Sequence, residues 1–198
     1  MLETTSKSRV TLDRPTIVAA ALALLDEVGI EGLSTRRLAA ELGVKGPSLY
    51  WHFKNKNELL AHMAGALFLD ALPEPDFTSA NFDLVDWLRK GARGLRRTAL
   101  SRRDGAVIMA RITPTVDDDR RAFSEMTRCL HERSGLPSKD CSLTLLSLGR
   151  FAISWSLYEN AAGDRVQPAD WEAGFEFGLE TFLKGLQVRL TEGSAGRA

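Results

Sequence analysis

Between Ser34 and Lys56 the chain reads STRRLAAELGVKGPSLYWHFKNK, and few backbones satisfy that spacing. Leu38, Ala39 and Leu42 share one helical face, Gly43 permits a left-handed turn, and Leu49 with Phe53 resumes an apolar face after the break. The spacing predicts two short helices joined by a tight turn. That is the pattern of a helix-turn-helix, whose second helix enters the DNA major groove while the first crosses the backbone.

Charge sharpens this reading. The 198 residues carry 26 Lys+Arg against 26 Asp+Glu, so a uniformly basic coat is excluded and any nucleic-acid contact depends on a local excess. Such an excess lies in this stretch, where Arg36, Arg37, Lys45, Lys54 and Lys56 face the single acid Glu41. Cys129 and Cys141 are too few for a disulfide framework or a metal cluster, which fits a reducing compartment. The longest apolar run, Ile17 to Leu25, is about half of the roughly 20 residues a membrane span needs. With no signal-peptide pattern at the start, a cytoplasmic protein with no membrane partner is expected.

The flanking sequence reads as helices. Residues up to Thr11 form a polar arm in which Lys7 or Arg9 is placed to brush a phosphate. Asp13 caps a first helix with Pro15 in its first turn and Gly29 at its end. Ser34 caps the second, and the third covers about Gly46 to His52. Asn55 and Glu58 form a capping box for a connecting helix that runs to about Leu72. Pro73 and Pro75 then mark a boundary. The expected division is 1–56 for the arm and DNA-binding domain, 57–75 for the connecting helix and linker, and 76–198 for a helical body.

In that body, a helix from Phe82 to Ser101 carries Arg89, Lys90, Arg93, Arg96 and Arg97. These read as a solvated or salt-bridged face, with a second DNA surface as the alternative. Further helices are expected over about 116–133, 138–160 and 169–190. The helix over 138–160 is apolar almost all round, so it must be covered on more than one side. Gly174, Gly178 and Gly185 each cost about 1 kcal/mol inside the last helix, a cost that close approach by another helix would explain. The two helices near 138–160 and 169–190 therefore read as a homodimer surface, the alternative being burial within one subunit. No strand-like alternation and no fixed-period repeat appears. The fold class is all-α: a three-helix helix-turn-helix domain followed by a helical ligand-binding and dimerisation domain.

Leu12-Asp13, LLDEVGIEGLSTRRLAAELGV and PSLYWHFKNKNELL resemble the N-terminal domain of the TetR family of transcriptional repressors. SRRDGA at Ser101–Ala106, Thr113-Pro114-Thr115 and the late FEFGLETFLKGL extend the likeness toward the tetracycline-responsive branch of that family. The resemblance implies a dimer on double-stranded operator DNA with inverted half-sites, and a small-molecule effector in each C-terminal core. No catalytic activity, no cofactor and no bound metal are expected here. Arg36 matches a position that reaches a base edge, where the guanidinium fork suits guanine. Pro47, Ser48 and Tyr50 match recognition-helix contacts. Ser34, Thr35, Trp51, His52 and Lys56 match positions on the DNA backbone, with Lys45 in the same basic run. Trp51 on the core and His52 as a helix cap are the structural alternatives. Gly46 departs from the branch, which carries a longer polar side chain there.

The ligand end departs further. Positions where tetracycline-responsive members carry two histidines and an asparagine are occupied here by Leu72, Met109 and Gly91, so a magnesium–tetracycline chelate meets apolar groups. Leu95, Met109, Ile112, Met126, Leu145 and Trp155 imply an apolar or aromatic effector, with Glu125 and Tyr158 to orient it. Plain core packing is the alternative for each. Two further readings are a redox sensor built on Cys129 or Cys141, and a helical enzyme tethered to DNA. No nucleophile–base or carboxylate pair supports the second, and His62 and His131 stand alone.

Overall fold

The computed structural model describes residues 12–73, 79, 81–111, 117–162 and 167–195. The N-terminal arm with Lys7 and Arg9, Pro75, Ile112 and the Thr113–Thr115 segment lie outside the described residues. Every described element is a helix: α1 (Arg14–Gly32), α2 (Thr35–Glu41), α3 (Gly46–Tyr50), α4 (Lys56–Ala71), α5 (Leu84–Leu100), α6 (Gly105–Met109), α7 (Asp117–Ser134), α8 (Ser138–Ala162) and α9 (Pro168–Ala195). The fold is all-α, as the hydrophobic periods predict. The chain divides into two compact units between Leu59 and Leu60, inside α4.

In the first unit, Asp13 caps α1 by accepting from the Thr16 N–H at 2.9 Å. Gly29, at φ 70°, kinks the helix without ending it, and one further turn runs to Gly32. Ile17, Leu25 and Leu38 are wholly buried, with Leu33, Leu49 and Phe53 closing the small core around them. Asn55 caps α4 through the Glu58 N–H at 2.9 Å. The Glu58 carboxylate reaches back to the Lys54 N–H at 2.6 Å, one residue before the position a reciprocal capping box uses.

The second unit is organised by α5 lying on α8, with α7 and α9 against α8 and α6 at the end of α5. Gly94 allows the end of α4 to come close: a Cβ there would sit 2.0 Å from the Ala71 carbonyl oxygen. Phe175, Leu179, Leu183, Met109 and Ile108 form the centre of this core. Arg89 and Arg93 of α5 reach Glu180 and Glu176 of α9, and Arg96 binds both Glu159 of α8 and Glu172 of α9. Carboxylates thus occupy these three arginines, which makes this face a salt-bridged one.

Candidate nucleic-acid interface and ligand cavity

The first candidate site is built on α2 and α3. Ser34 starts α2, its Oγ accepting from the Arg37 N–H at 3.2 Å while its own proton stays available to donate. Gly43 sits at φ 65°, and the Val44 N–H bonds to the Ala39 carbonyl at 2.9 Å, which turns the chain into α3. Pro47 occupies the first turn of α3, where a missing N–H costs nothing. Leu49 is buried, so its neighbours Ser48 and Tyr50 point away from the core. Tyr50 is exposed, with its hydroxyl 3.4 Å from Thr35 Oγ1.

Thr35, Arg36, Gly46, Pro47 and Tyr50 line one open groove between the two helices. The neighbouring arginines have different surroundings. Arg37 Nη1 donates to the Gly32 carbonyl at 3.3 Å and so closes the end of α1. No hydrogen bond or ion pair among the described residues engages Arg36, whose guanidinium is left to face a partner. Lys45 precedes α3 and is exposed. Trp51 is 88% exposed, so it does not pack on the core. The His52 carbonyl accepts from Arg14 Nε at 3.1 Å, a tie that the sequence pattern does not indicate. Lys56 uses one of its three donors on the Ile30 carbonyl at 3.4 Å. A Cβ on Gly46 would meet nothing within 4 Å, so the gap left by the missing side chain is open.

The second candidate site is a cavity of about 340 Å³ in the larger unit. Phe68 and Leu72 from α4 and its C-terminal end, Trp87, Gly91 and Leu95 from α5, Phe123 and Met126 from α7, and Leu145, Gly149 and Ile153 from α8 form its walls. Trp87 is held in place by donating its indole N–H to the Pro73 carbonyl at 3.2 Å. The volume falls in the range of small-molecule pockets.

The structure gathers three of the expected ligand residues here, Leu95, Met126 and Leu145, together with Leu72 and Gly91. Four others lie elsewhere. Met109 is fully buried in the core and does not line the cavity. Trp155 turns toward α9, edge-on to Trp171 with ring centroids 5.8 Å apart, its indole nitrogen buried without a partner among the described residues. Tyr158 is 72% exposed. Glu125 is exposed on α7 and holds Arg128, whose hydrogen bond lowers the Glu125 carboxyl below its ordinary range. The reason is helical phase: about 100° separates successive residues, so Glu125 turns away where Met126 turns in. Ile112 lies outside the described residues. Phe68, Trp87 and Phe123 also line the cavity, and the sequence does not distinguish them, since apolar helix positions look alike until the packing partner is known.

The two thiols offer little to a redox sensor. Cys129 and Cys141 are buried, and burial pushes both thiols up from their ordinary value, whereas sensing thiols are depressed and accessible. Among the described residues no group of three or more His, Cys, Asp or Glu is placed to hold a metal ion. No described helix is long and apolar enough to cross a membrane.

An all-α chain with a helix-turn-helix unit and a separate helical body around an apolar cavity has the architecture of a ligand-linked transcriptional regulator. The chain belongs to the TetR family: residues 17–63 match the model of bacterial regulatory proteins of the tetR family, and full-length relatives agree. The class G tetracycline repressor of Vibrio anguillarum is 44% identical over 204 residues, covering 89% of this chain and 94% of the relative. The crystal structure of a single-substitution variant of TetR from Acinetobacter baumannii AYE in complex with minocycline has a TM-score of 0.77 at 34% identity, covering 91% of this chain and 99% of that one. The structure of BioQ with its double-stranded DNA operator has a TM-score of 0.65 at 28% identity, covering 89% and 98%.

Proposed function

We propose that the protein is a cytoplasmic, ligand-responsive repressor that binds an inverted-repeat operator as a homodimer and is released by a small apolar or aromatic effector. The observation that carries this reading is that α4, which follows α3 in the chain, presents Phe68 and Leu72 to the cavity wall at its far end. A ligand touching that wall acts on the element that leads to the reading head. To shift the dimer off DNA it must prefer the released conformation by several kcal/mol, and operator must weaken its binding by the same factor.

On the DNA side, Arg36 is assigned to base reading, with Gly46, Pro47, Ser48 and Tyr50 at or near the groove floor. Ser34, Thr35, Lys45, Trp51, His52 and Lys56 are assigned to phosphates and register. The minocycline complex of one relative and the operator complex of another support a protein with both kinds of partner. For the dimer, Phe177 and Val188 are exposed on α9, and Gly185, on the same helix, has nothing within 4 Å of a Cβ. A second copy of α8 and α9 against that helix accounts for all three.

Selection of bound DNA from a random pool tests the reading. Recovery of an inverted repeat with half-site centres about 34–36 Å apart, or a small multiple of that, is expected. Enriched sequences without dyad symmetry, or no enrichment, would overturn it.

A further inference from the structure

The cavity is apolar along α4, α5 and α7, but α8 contributes Arg150 and Ser154, one turn apart on a single face. Both are exposed, so they stand at the solvent side of a cavity whose depth is hydrocarbon. Arg150 differs from Arg89, Arg93, Arg96 and Arg128 on this cavity's helices. Arg89, Arg93 and Arg96 each meet a carboxylate, and Arg128 is held by Glu125 and Glu132. Among the described residues no carboxylate or carbonyl accepts from Arg150, and no partner engages the Ser154 hydroxyl.

An uncompensated guanidinium at the mouth of an apolar cavity selects by charge. A cationic ligand is repelled, and a neutral one leaves the cation as it was. An anion gains a charge-assisted hydrogen bond whose fork geometry matches a carboxylate or sulfonate. Because Arg150 stands at the solvent side, the anion is not dragged into hydrocarbon, and the apolar body alone enters the depth. We infer that the cavity takes an amphipathic monoanion, an apolar or aromatic body bearing one carboxylate-like group, with Arg150 receiving the charge and Ser154 supplying a second donor. This rests on the cavity being the effector site and adds the charge of the effector to that reading.

The test uses two fluorescent probes with the same ring skeleton: 8-anilino-1-naphthalenesulfonate, which is anionic, and N-phenyl-1-naphthylamine, which lacks the sulfonate. Both are titrated into the full-length protein, with Gly91→Leu as a filled-cavity control, since a side chain at Gly91 extends past Leu72 into the space. Expected are binding of both probes to the wild type, loss of both in Gly91→Leu, and an anion affinity that falls with added salt. In Arg150→Gln the anion is expected to weaken by about five- to tenfold while the neutral probe is unchanged, and Arg150→Lys retains part of the difference. An equal effect of Arg150→Gln on both probes, or on neither, overturns the inferred anion while leaving the cavity reading intact. Binding of both probes that survives Gly91→Leu, or no binding of either, overturns the cavity reading and the anion with it. A shift in oligomeric state with unchanged probe preference would assign Arg150 to an acid of a second copy and overturn the inference as well.

Discussion

Gly178 of α9 lies against the ring of Phe151 on α8: a Cβ on the glycine would come within 2.8 Å of Phe151 Cζ. Gly174, one turn earlier, meets Trp155 Cζ2 at the same distance. The helix cost of these two glycines is therefore explained inside one chain, by aromatic rings that stack between α8 and α9, including Phe151 on Phe175 at 5.4 Å. Gly178→Ala gains about 1 kcal/mol of helix propensity and incurs about 1–3 kcal/mol of overpacking, so net destabilisation is expected in urea unfolding. Combining it with Phe151→Leu should cost less than the sum of the single changes, because the smaller side chain frees the space the methyl needs. Additive losses would show that the contact is not what excludes alanine.

The two adjacent arginines of α2 should separate by phenotype. Arg36→Ala is expected to reduce binding to the selected operator by about 1–3 kcal/mol and to flatten sequence preference at one position, leaving the melting temperature unchanged. Arg37→Ala removes the bond to the Gly32 carbonyl and should lower the melting temperature instead. Gly46→Gln, entering open space, should alter the preferred base without loss of fold. Repeating the DNA selection on each variant, beside a thermal melt, checks all three.

How far the sequence anticipates these sites depends on how local each determinant is. The reading head is legible because its signals sit within a few residues of one another: the cap at Ser34, the turn at Gly43, the buried Leu38 and Leu49. The difference between Arg36 and Arg37 is not, because it depends on where the end of α1 falls. In the body, Leu72 and Gly91 are identifiable from family resemblance, and both line the cavity. Trp155 and Tyr158 fall outside it because α8 is apolar on almost every side, so its period does not fix which face meets the ligand. The boundary inside α4 leaves no mark at all, since a continuous helix carries no break in composition where contacts change hands.

Acid should loosen the second unit through its ion pairs. The Arg89 hydrogen bond holds the Glu180 carboxyl below its ordinary value of 4.5, and Lys90 lowers Asp86 likewise. A depressed folded-state pKa means that the unfolded chain takes up the proton first as pH falls. The stabilisation is thus present at neutral pH and is lost progressively below about 4.5. Urea midpoints taken from about pH 7 down to about pH 3 should fall for the wild type. They should fall less steeply for Arg89→Gln, whose Glu180 has lost its partner. Parallel curves would mean that Glu180 titrates alike in both states.

The response to tetracycline follows from which residues border the cavity. Leu72 and Gly91 line it with hydrocarbon, and Met109, at one of the positions where the resemblance places a histidine in tetracycline-responsive members, is fully buried and faces the core. Magnesium–tetracycline is therefore expected to leave the operator complex intact in a gel-shift assay at concentrations that release a tetracycline-responsive repressor. Leu72→His with Gly91→Asn returns polar groups to the wall and should give measurable drug binding, read by tetracycline fluorescence. Met109→His should not, because it places an imidazole in a dry core. A loss of about 1–3 kcal/mol in stability is the expected result there. Release of the wild-type complex by magnesium–tetracycline would show that other groups in the wall supply the missing donors.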